Sequence, residues 1–165
     1  MESNVSRETN IKMNMRFDLV VVGGGHAGIE ASVAANKMGI KTALITMDKN
    51  AIGRMSCNPA IGGLAKGHLV REIDALGGIM GSFADLSGIQ FKMLNRSKGK
   101  AVWSPRAQID KKVYEKNISL YVRSQKNIQI IESEAKKILI KNNSVSGLML
   151  NNNKRIDCGS VIITC

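Results

Sequence analysis

Proline is scarce, with only Pro59 and Pro105 in 165 residues, and 44% of the chain is hydrophobic. That combination suits one buried core and leaves too little chain for two full domains. Cysteine is also rare. Cys57, Cys158 and Cys165 are an odd number without a framework spacing, which suits a reducing compartment better than a disulfide scaffold, so a cytoplasmic protein is expected. No stretch approaches the roughly 18 consecutive apolar residues of a membrane-spanning helix, so a soluble protein without membrane partners is expected. Residues 1–16 (MESNVSRETNIKMNMR) hold no apolar run of signal-peptide length. They read as a flexible tail ahead of a domain covering 17–165. Acidic residues are in deficit, 13 against 24 Lys plus Arg. Such an excess steers phosphate-bearing partners toward a surface, although the abundance of Ile and Asn beside Lys is equally the mark of compositional drift.

What is present alternates between strands and helices. Phe17–Val22 (FDLVVV) is a near-continuous β-branched run suited to a parallel strand covered on both faces. Ala27–Met38 reads as a helix stopped at Gly39, and Thr42–Thr46 as a second strand. A small-residue loop over Ala51–Gly67 precedes a short amphipathic helix marked by Leu69, Val70, Ile73 and Leu76, which ends at Gly77-Gly78. Gly88–Leu94 reads as a strand. A helix over Gln108–Ser124 is outlined by Ile109, Val113, Leu120 and Tyr121, with a strand at Ile128–Glu132 after it. Ala135–Ile140, Val145–Leu150 and Arg155–Cys158, parted by Asn-rich turns, read as a β-meander, and Ser160–Thr164 as a last strand. The fold class expected is α/β, a Rossmann-type FAD-binding domain with a parallel sheet, helices and a meander crossover. Because the last strand runs to the last residue, a truncated domain is expected.

The segment GGGHAG, Gly23, Gly24, Gly25, His26, Ala27 and Gly28, gives G-x-G-x-x-G between the first strand and the first helix. In that context the first glycine makes the tight turn, the second lets a pyrophosphate reach the backbone, and the third lets helix and strand pack closely. The free N–H groups at the helix start then hold the phosphates. His26 is expected to face the cofactor loop or solvent. Where many dinucleotide folds carry an acidic ribose ligand at the end of the second strand, this chain has Thr46, with Asp48 two residues on; both stay open as ribose contacts. The meander favours FAD over NAD as the bound dinucleotide, by analogy between folds.

A second set of residues is more specific. Ser56–Gly63 reads SCNPAIGG, continues as LAKGHLVREIDALGG to Gly78, and is followed by IQFKMLNRSKGKAVWSPRAQ over Ile89–Gln108. With GGGHAG, these closely resemble the FAD-binding subunit of the tRNA uridine 5-carboxymethylaminomethyl modification enzyme, the MnmG or GidA family. The resemblance runs from Phe17 to Cys165 and implies the N-terminal part of a longer protein. It implies FAD as cofactor, NADH as its reductant, methylenetetrahydrofolate as one-carbon donor and tRNA as substrate, modified at C5 of the wobble uridine. It also implies a GTPase partner subunit, MnmE, in a heterotetramer-type complex, and a homodimer of the full-length form. Cys57 becomes the candidate catalytic residue, adding to the uracil ring or taking part in flavin chemistry, in a loop whose backbone N–H groups or a helix start would favour the thiolate, against the plainer reading of a small buried hydrophobe. Gly62, Gly63 and Gly67 would let the loop pass close to the isoalloxazine, and Ala135 matches a position whose backbone contacts FAD. Lys100 departs from the proline that family members often carry after Ser-Lys-Gly.

Lys92, Arg96, Lys98, Lys100 and Arg106 form a basic run suited to RNA phosphates, with Trp103 inside it, or else a solvated face. Two alternatives stand beside tRNA modification. A general FAD and NAD(P)H oxidoreductase without RNA predicts a cysteine pair near the flavin, where the chain offers Cys57 alone. A non-catalytic nucleotide- or RNA-binding module is the other. The folate- and FAD-dependent tRNA methyltransferases share the glycine motif but are disfavoured by SCNPAIGG.

Overall fold

The structure, a computed structural model, describes residues 15–55 and 58–164. Its larger sheet has six strands in the order β6-β2-β1-β9-β8-β7. The apolar run of β1 (Met15–Val22) lies at the centre. It pairs in parallel with β2 (Thr42–Thr46) on one side and with β9 (Arg155–Ile163) on the other. β6 (Ile128–Glu132) adds a fourth parallel strand beside β2. A strand hydrogen-bonded on both edges and covered on both faces has no use for polar side chains, and Val20 and Val21 are both 0% exposed. β1 starts at Met15, two residues before the expected Phe17, because Met15 and Arg16 pair with Ile156 and Asp157.

Alternation along β1 sends its side chains into two cores. Leu19 and Val21 face Ile29 and Val33 of α1 (His26–Lys37) and Tyr114, Ile118 and Val122 of α4 (Lys111–Ser124). Val20 faces the other way, with Ala43 and Ile45, onto Leu148, Leu150 and Ile156 of the meander. The meander is β7 (Ala135–Lys141), β8 (Ser144–Leu150) and the first part of β9, all antiparallel neighbours. Asn142 and Asn143, at φ 51° and 57°, make the two-residue turn between β7 and β8, a conformation asparagine tolerates better than most residues. The two strands expected at Arg155–Cys158 and Ser160–Thr164 are one: β9 passes through Gly159 without a break and serves both meander and parallel sheet.

A second sheet, in the order β3-β5-β4, lies beside this unit. It contains β3 (Ala60–Gly62), β4 (Gly88–Leu94) and β5 (Ser104–Ile109), with α2 (Lys66–Ala75) and α3 (Met80–Ser87) packed on it. Three expectations are corrected here. The small-residue loop contains β3. The helix expected from Gln108 starts at Lys111, because Ser104–Ile109 is strand and the Asp110 carboxylate caps the helix by accepting from the N–H groups of Lys112 and Val113 at 3.0 and 3.1 Å. Its buried stripe is Tyr114, Ile118 and Val122, while Val113 and Leu120 are exposed.

Candidate dinucleotide-binding site

The C-terminal ends of β1, β2 and β9 meet at the glycine loop. Gly23 has φ 115°, and a Cβ there would lie 2.5 Å from Thr164 Oγ1, so both conformation and space demand glycine. Gly28, in the first turn of α1, has its Cα against the Gly23 carbonyl, where a Cβ would come within 1.9 Å of the oxygen. Gly25 differs from both, since an added Cβ would meet nothing within 4 Å. The turn and the close packing thus fall on Gly23 and Gly28, and open space falls on Gly25. Gly25 is also the N-cap of α1, and neither a side-chain cap nor an acidic residue occupies the helix start. Unclaimed N–H groups, the positive end of the helix dipole and room at Gly25 fit a pyrophosphate. Ala27 is exposed in the same first turn. Gly24 turns toward Thr46, whose Oγ1 would be 2.9 Å from a Cβ added there. Thr164, absent from the sequence-derived set, closes the loop from β9: its Oγ1 and N–H both donate to the Val22 carbonyl at 2.9 Å.

Both candidate ribose contacts have local partners. Thr46, 8% exposed, donates its hydroxyl to the Asp48 carbonyl at 3.1 Å. The Asp48 carboxylate accepts from the Asn50 N–H at 2.8 Å and pairs with Arg54 at 3.5 Å. Ala135 opens β7 and lines a recess with Val22 and Ile163, the last residues of β1 and β9.

The His26 ring is not turned to solvent. It packs 5.7 Å from the Tyr114 ring, and its Nε2 is buried without a hydrogen-bond partner, as is the Tyr114 hydroxyl. Burial pushes the imidazole pKa down, with the carboxylates of Glu30 and Glu115 pulling the other way; burial and Glu30 push the Tyr114 hydroxyl up. Both glutamates tie distant loops to the site. Glu30 on α1 accepts from the N–H groups of Ile79, at 3.0 and 3.1 Å, and Met80, at 2.7 Å, at the start of α3. Glu115 on α4 accepts from the Met55 N–H at 2.8 Å, and the Gly53 N–H reaches the Gly24 carbonyl at 3.0 Å. The glutamate pairings lie 49 to 60 residues apart in the chain, beyond the reach of any local sequence pattern. The candidate nucleophile Cys57 lies outside the described residues. Met55 and Asn58, on either side of it, line a 420 Å³ recess with His26, Gly62 and Lys66.

Gly62 and Gly67 have packing reasons of their own, because a Cβ at either would come within 2.3 and 2.8 Å of the Pro105 carbonyl oxygen. Gly63, at φ 100°, faces open space and donates its N–H to the same oxygen at 2.8 Å. The basic residues divide. Lys92 on β4 and Arg106 on β5 are cross-strand partners. Arg96, Lys98 and Lys100 sit in two exposed turns of 3₁₀ helix beyond β4. The Trp103 indole N–H donates to the Arg96 carbonyl at 3.3 Å, so that ring is a brace for the first turn.

Fold and glycine loop together define a Rossmann-type dinucleotide-binding domain. The family model described as Glucose inhibited division protein A matches residues 18–165, and the chain belongs to that family. It is 55% identical over 148 residues to the tRNA uridine 5-carboxymethylaminomethyl modification enzyme MnmG of Aquifex aeolicus, covering 90% of this chain and 24% of that protein. A crystal structure of Aquifex aeolicus GidA superimposes with a TM-score of 0.87 at 54% identity, over 90% of this chain and 25% of that one. A probable FAD-dependent monooxygenase from Pseudomonas aeruginosa shares the fold at 12% identity and TM-score 0.62, over 88% of this chain and 41% of that one. The chain spans about a quarter of the length of the curated relatives it matches.

Proposed function

We propose that the chain is the FAD-binding part of an enzyme subunit that modifies the wobble uridine of tRNA at C5. The observation that carries the cofactor is the division of labour in the glycine loop: closed space at Gly23 and Gly28, and open space at Gly25 before an uncapped helix N-terminus. The tRNA assignment is supported by membership of the family and by relatives near 50% identity named for that modification. Gly23, Gly24, Gly25, Ala27 and Gly28 would hold the pyrophosphate through backbone N–H groups, and Ala135 would border the nucleotide from the meander. FAD supplies the redox chemistry when bound. His26, whose burial favours the neutral imidazole, lines the recess beside the loop.

Cys57 is the proposed nucleophile toward the uracil ring. Support comes from its chain neighbours Met55 and Asn58, which line the recess that includes His26. NADH as reductant, methylenetetrahydrofolate as one-carbon donor, a GTPase partner subunit, a homodimer and a cytoplasmic site belong to the same reading. The test is Cys57→Ala in the full-length protein, which should retain FAD and lose uridine modification; modification at the ordinary rate would remove Cys57 from the chemistry.

A further inference from the structure

The register of the small sheet puts its polar residues on one face. Gln90 pairs with Gln108, Lys92 with Arg106 and Leu94 with Ser104, and Phe91 and Met93 alternate with them along β4; Lys92 and Arg106 also border the recess that Phe91 and Met93 share with α2 and α3. Gln90, Lys92, Leu94, Arg106 and Gln108 together line a shallow recess of 150 Å³. Directly opposed side chains stand roughly 5 Å apart at Cβ, and like charges so placed repel. Lys92 and Arg106 have no ion-pair partner among the described residues to relieve that repulsion. One phosphate between them would, the guanidinium offering a planar fork and the ammonium a point charge.

We propose that this open face of the β3-β5-β4 sheet binds a single-stranded uridine of RNA, its phosphate between Lys92 and Arg106 and its base edge against Gln90 and Gln108. The glutamine row lies two residues along each strand from the cationic row, about 7 Å away, a distance suited to a base and its own phosphate. Uracil presents an N–H flanked by carbonyl oxygens, and a carboxamide answers with one acceptor and an N–H donor. Half-buried Leu94 continues the face on the far side of the cations, and Trp103, occupied as a brace, takes no base. The assignment rests on the tRNA reading above and narrows it to one surface of this chain.

The test measures binding of a labelled anticodon stem–loop RNA with uridine, or cytidine, at the wobble position across a salt series, using the FAD-loaded full-length protein. Replacing Lys92 and Arg106 together by Gln should weaken binding about tenfold and flatten the salt slope by about one to two phosphate contacts. Replacing Gln90 and Gln108 by Ala should leave that slope alone and weaken binding of both RNAs. A Lys126→Gln and Lys154→Gln protein controls for bulk charge. Unchanged affinity and slope in the Lys92/Arg106 variant, with the parent protein binding the RNA, overturns the face and leaves the tRNA reading standing. A parent protein that keeps FAD but binds no RNA overturns both.

Discussion

The Cα of Gly28 rests against the carbonyl oxygen of Gly23, so closely that a methyl group at position 28 would lie 1.9 Å from that oxygen. A backbone atom cannot swing aside as a side chain does, so Gly28→Ala has to push α1 away from β1. The expected cost is about 3 kcal/mol, within the range of overpacked cores. For a domain of this size that lowers the melting temperature by roughly 10 °C. Calorimetry of Gly28→Ala checks it, and a melting temperature within 2 °C or so of the parent would refute the packing argument.

Glu30 should act as a cap for a helix to which it does not belong. Its carboxylate takes the first N–H groups of the α3 region, at Ile79 and Met80. Glu30→Ala leaves these donors without their acceptor and is expected to lose about 1–2 kcal/mol. Hydrogen exchange should show faster opening at Ile79 and Met80, while the later turns of α1 keep their protection.

His26 makes stability depend on pH in a defined direction. Its folded-state pKa lies below the ordinary value of about 6.5, so the unfolded chain takes up the proton first as pH falls. Stability is therefore at its full value above about pH 6.5 and declines as the solution is acidified through the folded-state pKa. A His26→Gln variant should show a shallower decline between about pH 7 and pH 5 in denaturant titrations. Parallel curves for the two proteins would mean the ring is solvated when folded.

Thr46 stands where an acidic ribose ligand is common, yet its hydroxyl is spent on the Asp48 carbonyl. Thr46→Val is expected to cost about 1 kcal/mol of stability. Flavin affinity should stay within about twofold of the parent, under 0.5 kcal/mol. A tenfold loss of flavin affinity would place the hydroxyl on the cofactor instead.

The parts of the fold legible in the sequence were those with local signals. β2, β4 and β6 have the bounds their apolar runs and flanking turns indicate, and the glycine spacing placed the β1-α1 turn. The helix α4 was misphased because apolar residues recur on two of its sides: Val113 and Leu120 compete with Tyr114, Ile118 and Val122, and only packing selects the second set. Its start is marked by Asp110, a preferred N-cap residue, whereas Ile109 belongs to the strand before it. Gly159 looked like a break in β9, but its partners are long-range: the strand is held by β1 on one edge and β8 on the other. The α2 pattern identified a helix correctly, though Leu69 and Leu76 are exposed among the described residues. In the candidate site, the tight space at Gly23 and Gly28 and the open space at Gly25 match what the glycine spacing between a strand and a helix leads one to expect. Glu30, Tyr114, Glu115 and Thr164 arrive from distant positions and carry no motif.

The central claim is that open space at Gly25 before the α1 N-terminus is the seat of the FAD pyrophosphate. The direct measurement is the visible absorption spectrum of the purified protein after incubation with FAD and desalting, compared with Gly25→Glu. That position has no neighbour within 4 Å of an added Cβ, so the glutamate should leave the fold intact while placing a carboxylate where phosphate would lie. Flavin absorbance retained by the parent and lost in Gly25→Glu, with matching circular dichroism, is the predicted result. Equal flavin retention by both folded proteins would contradict the assignment.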